Sequence, residues 1–179
     1  MNIPSTSAPP GFAALTERRS VRTFTATPVP QQVRQALLQA AAQAPSAHGA
    51  RPIRFWVLDD LEIRRRLVAA LPWFQALDTA GFAVMVLADP RVCVQSEYWP
   101  VDGAAATQNL LTAGQLWGLG SVWLGITPVE NNVRAVKEVV VLPEGLEPVS
   151  IVALGFPAQR PAARAPYDLG PLLVEGRRR

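Results

Sequence analysis

Val101-Asp-Gly-Ala-Ala-Ala-Thr-Gln-Asn-Leu-Leu-Thr-Ala-Gly-Gln-Leu-Trp117, continuing directly into Gly118-Leu-Gly-Ser-Val-Trp-Leu-Gly125, is the stretch on which the fold depends. The first part reads as the longest helix of the chain. It is apolar nearly all round, which places it in the core or against another subunit. Asp102, Gln108, Asn109, Gln115 and several Gly and Thr residues interrupt it too often for a membrane span. Gly118 and Gly120 end it, one of them in the left-handed position that follows a helix. Ser121 to Ile126 then reads as a strand, so a buried helix feeds straight into a sheet.

Working outward, Pro128 to Val139 predicts a helix with proline in its first turn, Pro143-Glu144-Gly145 a turn, and Pro148 to Gly155 a final strand. The chain from Pro157 holds four prolines and is irregular. On the other side, Phe82 to Ala88 is a continuous apolar run of strand length, as expected for a strand buried on both faces. Asp89-Pro90 and Trp99-Pro100 frame a loop after it. Leu61, Ile63, Leu67, Val68 and Leu71 mark a helix capped by Asp59 or Asp60 and stopped by Pro72, and Ile53 to Leu58 a strand. Val33, Ala36, Leu37, Ala40, Ala41 and Ala44 mark a helix between Pro30 and Pro45. Phe12 and Leu15 suggest a first helix ending near Ser20. Helices and strands alternate imperfectly, which favours the α+β class with a mixed sheet.

With 179 residues the chain reads as one domain, 11–179, preceded by a flexible tail, 1–10, and closed by an extended arm from about 157. A mean hydropathy of +0.15 is high for a monomer and predicts apolar surface hidden in an oligomer. One cysteine, Cys93, and one histidine, His48, exclude an internal disulfide and a Cys-based zinc or iron–sulfur site, and no metal is expected. The N-terminus has no basic and apolar leader pattern, so a cytoplasmic protein is expected. A net charge of +3 raises nucleic acid as a partner. Arg64, Arg65 and Arg66 nevertheless point about 100° apart on a helix, Arg177 to Arg179 form a terminal tail, and no nucleic-acid motif accompanies them. Neither nucleic acid nor membrane is expected as a partner.

Arg18-Arg-Ser-Val-Arg-Thr-Phe24 concentrates three guanidinium groups and a hydroxyl. Their planar forks suit the terminal oxygens of a phosphate monoester.

Four segments in order carry a resemblance: Arg18 to Phe24; Ala44-Pro-Ser-Ala-His-Gly-Ala-Arg-Pro52; Asp102 through Ala105, Gln108-Asn109 and Leu110-Leu111 to Gly118–Gly125; and Leu142-Pro-Glu-Gly145 with Leu154-Gly-Phe-Pro157. Together they resemble the FMN-dependent nitroreductase family over most of residues 15 to 157. Tyr98-Trp99 before the Asp of the long helix is similar to the short bacterial members, and Ala47-His48 with Arg51-Pro52 is more loosely similar to the flavin domain of F420 ligase proteins. The resemblance implies an α/β sandwich with a central mixed, mostly antiparallel sheet flanked by helices. It also implies an intertwined homodimer with FMN at the subunit interface, NAD(P)H as hydride donor, and ping-pong reduction of a nitroaromatic, quinone or similar small acceptor. Since the flavin performs the chemistry, no catalytic side chain or metal is required. Specialised flavin reactions, such as F420 maturation, flavin fragmentation or dehalogenation, and flavin binding without turnover remain alternatives.

By the family pattern Arg18, Arg19, Ser20 and Arg22 contact the phosphate, ribityl chain and pyrimidine edge of FMN. Pro45, Ser46, Ala47 and Gly49 bring a backbone turn against the ring. Here Gly49 stands where the pattern has Asn and Arg51 where it has Gln; Arg51 near flavin N1 and O2 is expected to raise the reduction potential, or else to lie on the surface. Leu124 and Gly125 match the backbone that bonds flavin N5. Arg160 and Arg164 are candidates to complete the phosphate site, Arg164 preferred. Tyr98, Trp99 and Trp73 are candidate walls of the substrate pocket, while Trp117 suits core or dimer packing. His48, as an imidazole, is a candidate proton acceptor, although a lone histidine in a turn more commonly has a structural role.

Overall fold

A computed structural model describes residues 11–174 and 176, apart from 163 and 166. The expected N-terminal tail, 1–10, and the basic terminus, 177–179, lie outside the described residues.

Among the described residues nine helices and strands follow in chain order: α1 (Ala13–Thr16), α2 (Gln31–Ala42), β1 (Ile53–Val57), α3 (Leu61–Ala70), β2 (Phe82–Ala88), α4 (Trp99–Leu116), β3 (Gly120–Gly125), α5 (Glu130–Val139) and β4 (Glu147–Gly155), with short 3-10 turns between and after them. The four strands form one sheet in the order β1-β2-β4-β3. Every neighbouring pair is antiparallel. The parallel component of the expected mixed sheet is confined to one bridge, Ser20 to Ser121.

Strand β2 shows why the fold is layered. Ala83, Met85 and Leu87 enter the apolar cluster that includes Leu67 of α3 and Val136 of α5. Phe82, Val84, Val86 and Ala88 enter the opposite cluster, with Leu37 of α2 and Leu110 of α4. Strict alternation of side chains along the strand, apolar on both faces, lets helices cover both sides.

Several boundaries differ from expectation. Trp99-Pro100 opens α4 rather than closing the preceding loop. Proline is compatible there because first-turn N–H groups have no intrahelical acceptor. Helix α5 begins at Glu130, two residues after Pro128, because Ile126 to Val129 closes as a turn with the Val129 N–H donating to the Ile126 carbonyl. Asp60, not Asp59, caps α3, accepting from the Glu62 N–H at 2.8 Å. Of the three consecutive arginines on α3, Arg64 is buried and donates to the carbonyls of Leu58 at 2.5 Å and Ala80 at 2.7 Å, while Arg65 and Arg66 are exposed. No helix among the described residues is long and apolar enough to cross a membrane.

Helix α1 ends at Thr16 instead of near Ser20. Beyond it the chain extends alongside β3 and buries Val21 and Phe24 in the core. Two glycines permit this approach: a Cβ on Gly120 would lie 2.7 Å from Val21 Cβ, and one on Gly155 2.9 Å from Phe24 Cβ. Those distances are below any ordinary carbon–carbon contact.

Candidate functional site: an arginine cleft and a left-handed turn

The segment carrying the arginine cluster is stitched on two sides. The Val21 N–H donates to the Ser121 carbonyl at 2.9 Å, the Thr25 N–H to Phe156 at 2.8 Å, and the Ala158 N–H to Thr23 at 3.0 Å. This brings the early arginines to the residues that follow β4. A cleft of about 460 Å³ results, lined among others by Glu17, Arg19, Gly118, Gly120, Arg160 and Arg164. Arg19 Nη1 donates to the Ala162 carbonyl at 2.8 Å. Arg164 packs its guanidinium over the Tyr167 ring and donates to its hydroxyl. Three cations against one carboxylate give the cleft a positive lining of forked donors, the kind of group that suits phosphate oxygens. Arg18, Ser20 and Arg22 adjoin it along the chain without lining it; Ser20 and Arg22 are exposed on either side of buried Val21.

Strand β3 leads away from the cleft. Ser121 pairs with Ser20, and Gly125 lies four residues farther along, roughly 13 Å at the rise of a strand. Leu124 is buried in the sheet, and Gly125 is exposed, its carbonyl accepting from Asn132 Nδ2 at 3.0 Å. Trp99 lines a second cavity of about 670 Å³ together with Thr127, just past the end of β3, and with Val133, Lys137 and Glu147. Tyr98 is exposed beside it in sequence. Trp73 is exposed on the 3-10 turn Pro72–Asp78, edge-on to Phe74, and lines neither cavity.

The turn containing Pro45, Ser46, Ala47, His48, Gly49 and Arg51 lies elsewhere. It enters β1, the opposite edge of the sheet from β3, three strand spacings or roughly 14 Å away. The expected site residues therefore do not converge within one chain: the arginine cleft and β3 form one part, and the turn forms another. Three residues of the turn are left-handed, His48 at φ 54°, Gly49 at φ 67° and Arg51 at φ 50°. The Ser46 Oγ accepts from the Arg51 N–H at 2.9 Å, and Arg54 Nη1 donates to the Arg51 carbonyl at 3.0 Å. His48 is exposed.

Asp102, treated by sequence reasoning as one interruption of an apolar helix, has a definite task. Its Oδ1 accepts from the Ala47 N–H at 3.0 Å. The residue is 5% exposed, and Oδ2 is buried without a partner among the described residues. The signal that could have found it is its isolation: it is the sole acid of α4. Nearby, burial pushes the Cys93 thiol up, with the charges of Asp102 and Asp89 adding to the effect, so it stays protonated at neutral pH. Asp89 is held below the usual carboxylate range by its two-pronged pairing with Arg91. Among the described residues no cluster of His, Cys, Asp and Glu is placed to hold a metal ion.

The chain and its fold match known proteins. The model of the Nitroreductase family matches residues 15–80. A protein of Archaeoglobus fulgidus that carries, by inference, the name NADH dehydrogenase/NAD(P)H nitroreductase is 36% identical over 141 residues, covering 78% of this chain and 81% of that one. The oxygen-insensitive NADPH nitroreductase of Salmonella typhimurium is 29% identical over 174 residues, covering 89% and 72%. A Desulfovibrio desulfuricans protein assigned as a nitroreductase and solved in complex with FMN superimposes with a TM-score of 0.81 at 28% identity, covering 95% of this chain and 98% of that one. On the strength of that identity over four-fifths of the archaeal protein, and of a fold shared almost end to end, the chain belongs to the nitroreductase family.

Proposed function

We propose that the chain is an FMN oxidoreductase that draws electrons from NAD(P)H and passes them to nitroaromatic, quinone or similar small acceptors in a ping-pong cycle, working as a homodimer. The observation that carries this reading is the convergence of Arg19, Arg160 and Arg164 on one cleft beside β3. A phosphate monoester near −2 charge is the ligand such a donor set favours, so the residues present fit FMN. Arg19, Arg160 and Arg164 would hold the phosphate, with Arg18, Ser20 and Arg22 beside them and the exposed backbone at Gly125 toward the ring. Bound FMN supplies the two-electron chemistry between nicotinamide and acceptor. The chain's own part is to anchor, orient and limit access. The names of the relatives and the FMN complex of the Desulfovibrio protein support cofactor and donor.

Two features support a dimer. Leu15 on α1, Val101 and Leu116 on α4 and the adjoining Phe12 and Trp117 are exposed, and Leu169, Leu172, Leu173 and Val174 are exposed on the C-terminal arm. An exposed apolar surface of this extent is characteristic of a subunit interface. The placement of the Ala47–Arg51 turn and the arginine cleft at opposite edges of the sheet also suits a flavin shared between two protomers.

The decisive experiment is the visible spectrum of the purified protein, taken anaerobically before and after NADH or NADPH. The expected result is a yellow protein bleached by a nicotinamide and restored by a nitroaromatic or quinone. Colourless protein that takes up no FMN overturns the reading. Gly49 and Arg51, where the family pattern has Asn and Gln, favour flavin binding without turnover as second reading; yellow protein that neither NADH nor NADPH bleaches would support it.

A further inference from the structure

The buried carboxylate of Asp102 spends one oxygen on the Ala47 N–H and leaves the other unpaired among the described residues. Burying a carboxylate so incompletely satisfied costs free energy, and such groups call for a specific reason. What Asp102 holds is the one segment of the described backbone where non-glycine residues are left-handed, His48 and Arg51. Side chains resist that conformation because Cβ approaches the following carbonyl oxygen. The turn persists because it is restrained from three directions: Asp102 on Ala47, Ser46 Oγ on the Arg51 N–H, and Arg54 on the Arg51 carbonyl. It nevertheless faces outward, with His48, Gly49 and Arg51 exposed, and the Arg51 guanidinium makes no hydrogen bond among the described residues. An exposed turn held in a costly shape presents its backbone and one cation in a fixed direction, which is the condition for recognising a rigid planar ligand.

We infer that Asp102 is a positioning residue of the flavin site: its bond to the Ala47 N–H fixes the left-handed Ala47–Arg51 turn in the shape that meets the flavin across the subunit boundary. This role rests on the FMN reading above. It assigns to a helix residue with no flavin contact of its own a share of cofactor affinity.

The test uses the full-length protein, stripped of cofactor and titrated with FMN, alongside amide hydrogen exchange of the apo form. Asp102→Ala removes the acceptor, and Asp102→Asn keeps a carbonyl oxygen for Ala47 while removing the charge. Asp102→Ala is expected to speed exchange across residues 47–51 and raise the FMN Kd roughly tenfold, the worth of about one hydrogen bond. Asp102→Asn is expected to restore both. A loosened turn with unchanged Kd overturns the inference, as does Asn behaving like Ala. If Asp102→Ala does not fold, Asp102→Ser, whose shorter side chain withdraws from the Ala47 N–H, makes the same comparison: faster exchange with weaker FMN binding supports the role, and faster exchange with unchanged Kd overturns it. Wild-type protein that binds no FMN refutes the flavin reading itself, and with it this role; wild-type binding that no variant alters refutes only the role.

Discussion

Arg19 donates to the carbonyl of Ala162 at 2.8 Å across 143 residues of sequence, joining the first basic segment of the chain to the arm that follows β4. The guanidinium thus has two tasks, since it orders the segment bearing Arg160 and Arg164 and adds its charge to the same cleft. Arg19→Ala is expected to weaken FMN binding by roughly ten- to a hundredfold, the range for a hydrogen bond to a charged group. Fluorescence titration at two salt concentrations checks this, and affinity equal to wild type would be incompatible with the cleft as the phosphate seat.

Arg51 carries a different expectation. On the FMN reading proposed above, a cation beside the flavin favours the reduced and more negative form, so Arg51→Ala should lower the midpoint potential by on the order of 30 mV, equivalent to about 1.4 kcal/mol for two electrons. A spectroscopic redox titration reads the shift directly. A potential that does not move would place Arg51 on the surface without a redox role.

His48 offers a separation of strain from chemistry. It is exposed and left-handed, and asparagine tolerates that conformation better. His48→Asn should raise thermal stability, by roughly 0.5–1 kcal/mol. Its pH–rate profile should match wild type, because water can serve as proton source; loss of one limb of that profile would instead assign His48 a proton-transfer role.

Arg64 is structural. Arg64→Met leaves the carbonyls of Leu58 and Ala80 without their donor in the interior. The expected loss is about 2–4 kcal/mol of unfolding free energy, measured by urea denaturation. Near-wild-type stability would mean that water replaces the guanidinium.

The sequence made the core legible where burial is symmetric. The run Phe82–Ala88 announces a strand covered on both faces, and the helix through Leu110 and Leu111 lies against it as its apolar surface requires. The path of residues 17–24 was not legible. Locally, Thr-Glu-Arg-Arg continues a helix well, yet the extended form wins because Val21 and Phe24 find room only over Gly120 and Gly155. Those glycines are about a hundred residues away or more, and no local pattern reports them. The resemblance expects the arginine segment and the Pro45–Arg51 turn at a flavin shared between two subunits, and no local pattern shows that the strand order β1-β2-β4-β3 sets them at opposite edges of one chain. The early arginines were nameable from residue type and the late ones only through the resemblance; the Asp102 bond to Ala47 depended on a tertiary crossing.

The pairing of Thr23 and Thr25 with Ala158 and Phe156 has a consequence for biosynthesis. During translation the arginine segment emerges well before β3, β4 and the stretch beyond them, and has no place to dock until those have been made. The cleft is therefore assembled from parts of the chain synthesised more than a hundred residues apart, as the 143-residue span from Arg19 to Ala162 shows. A ribosome-bound intermediate lacking residues 156–164 should fold much of its sheet and still be unable to capture its anion.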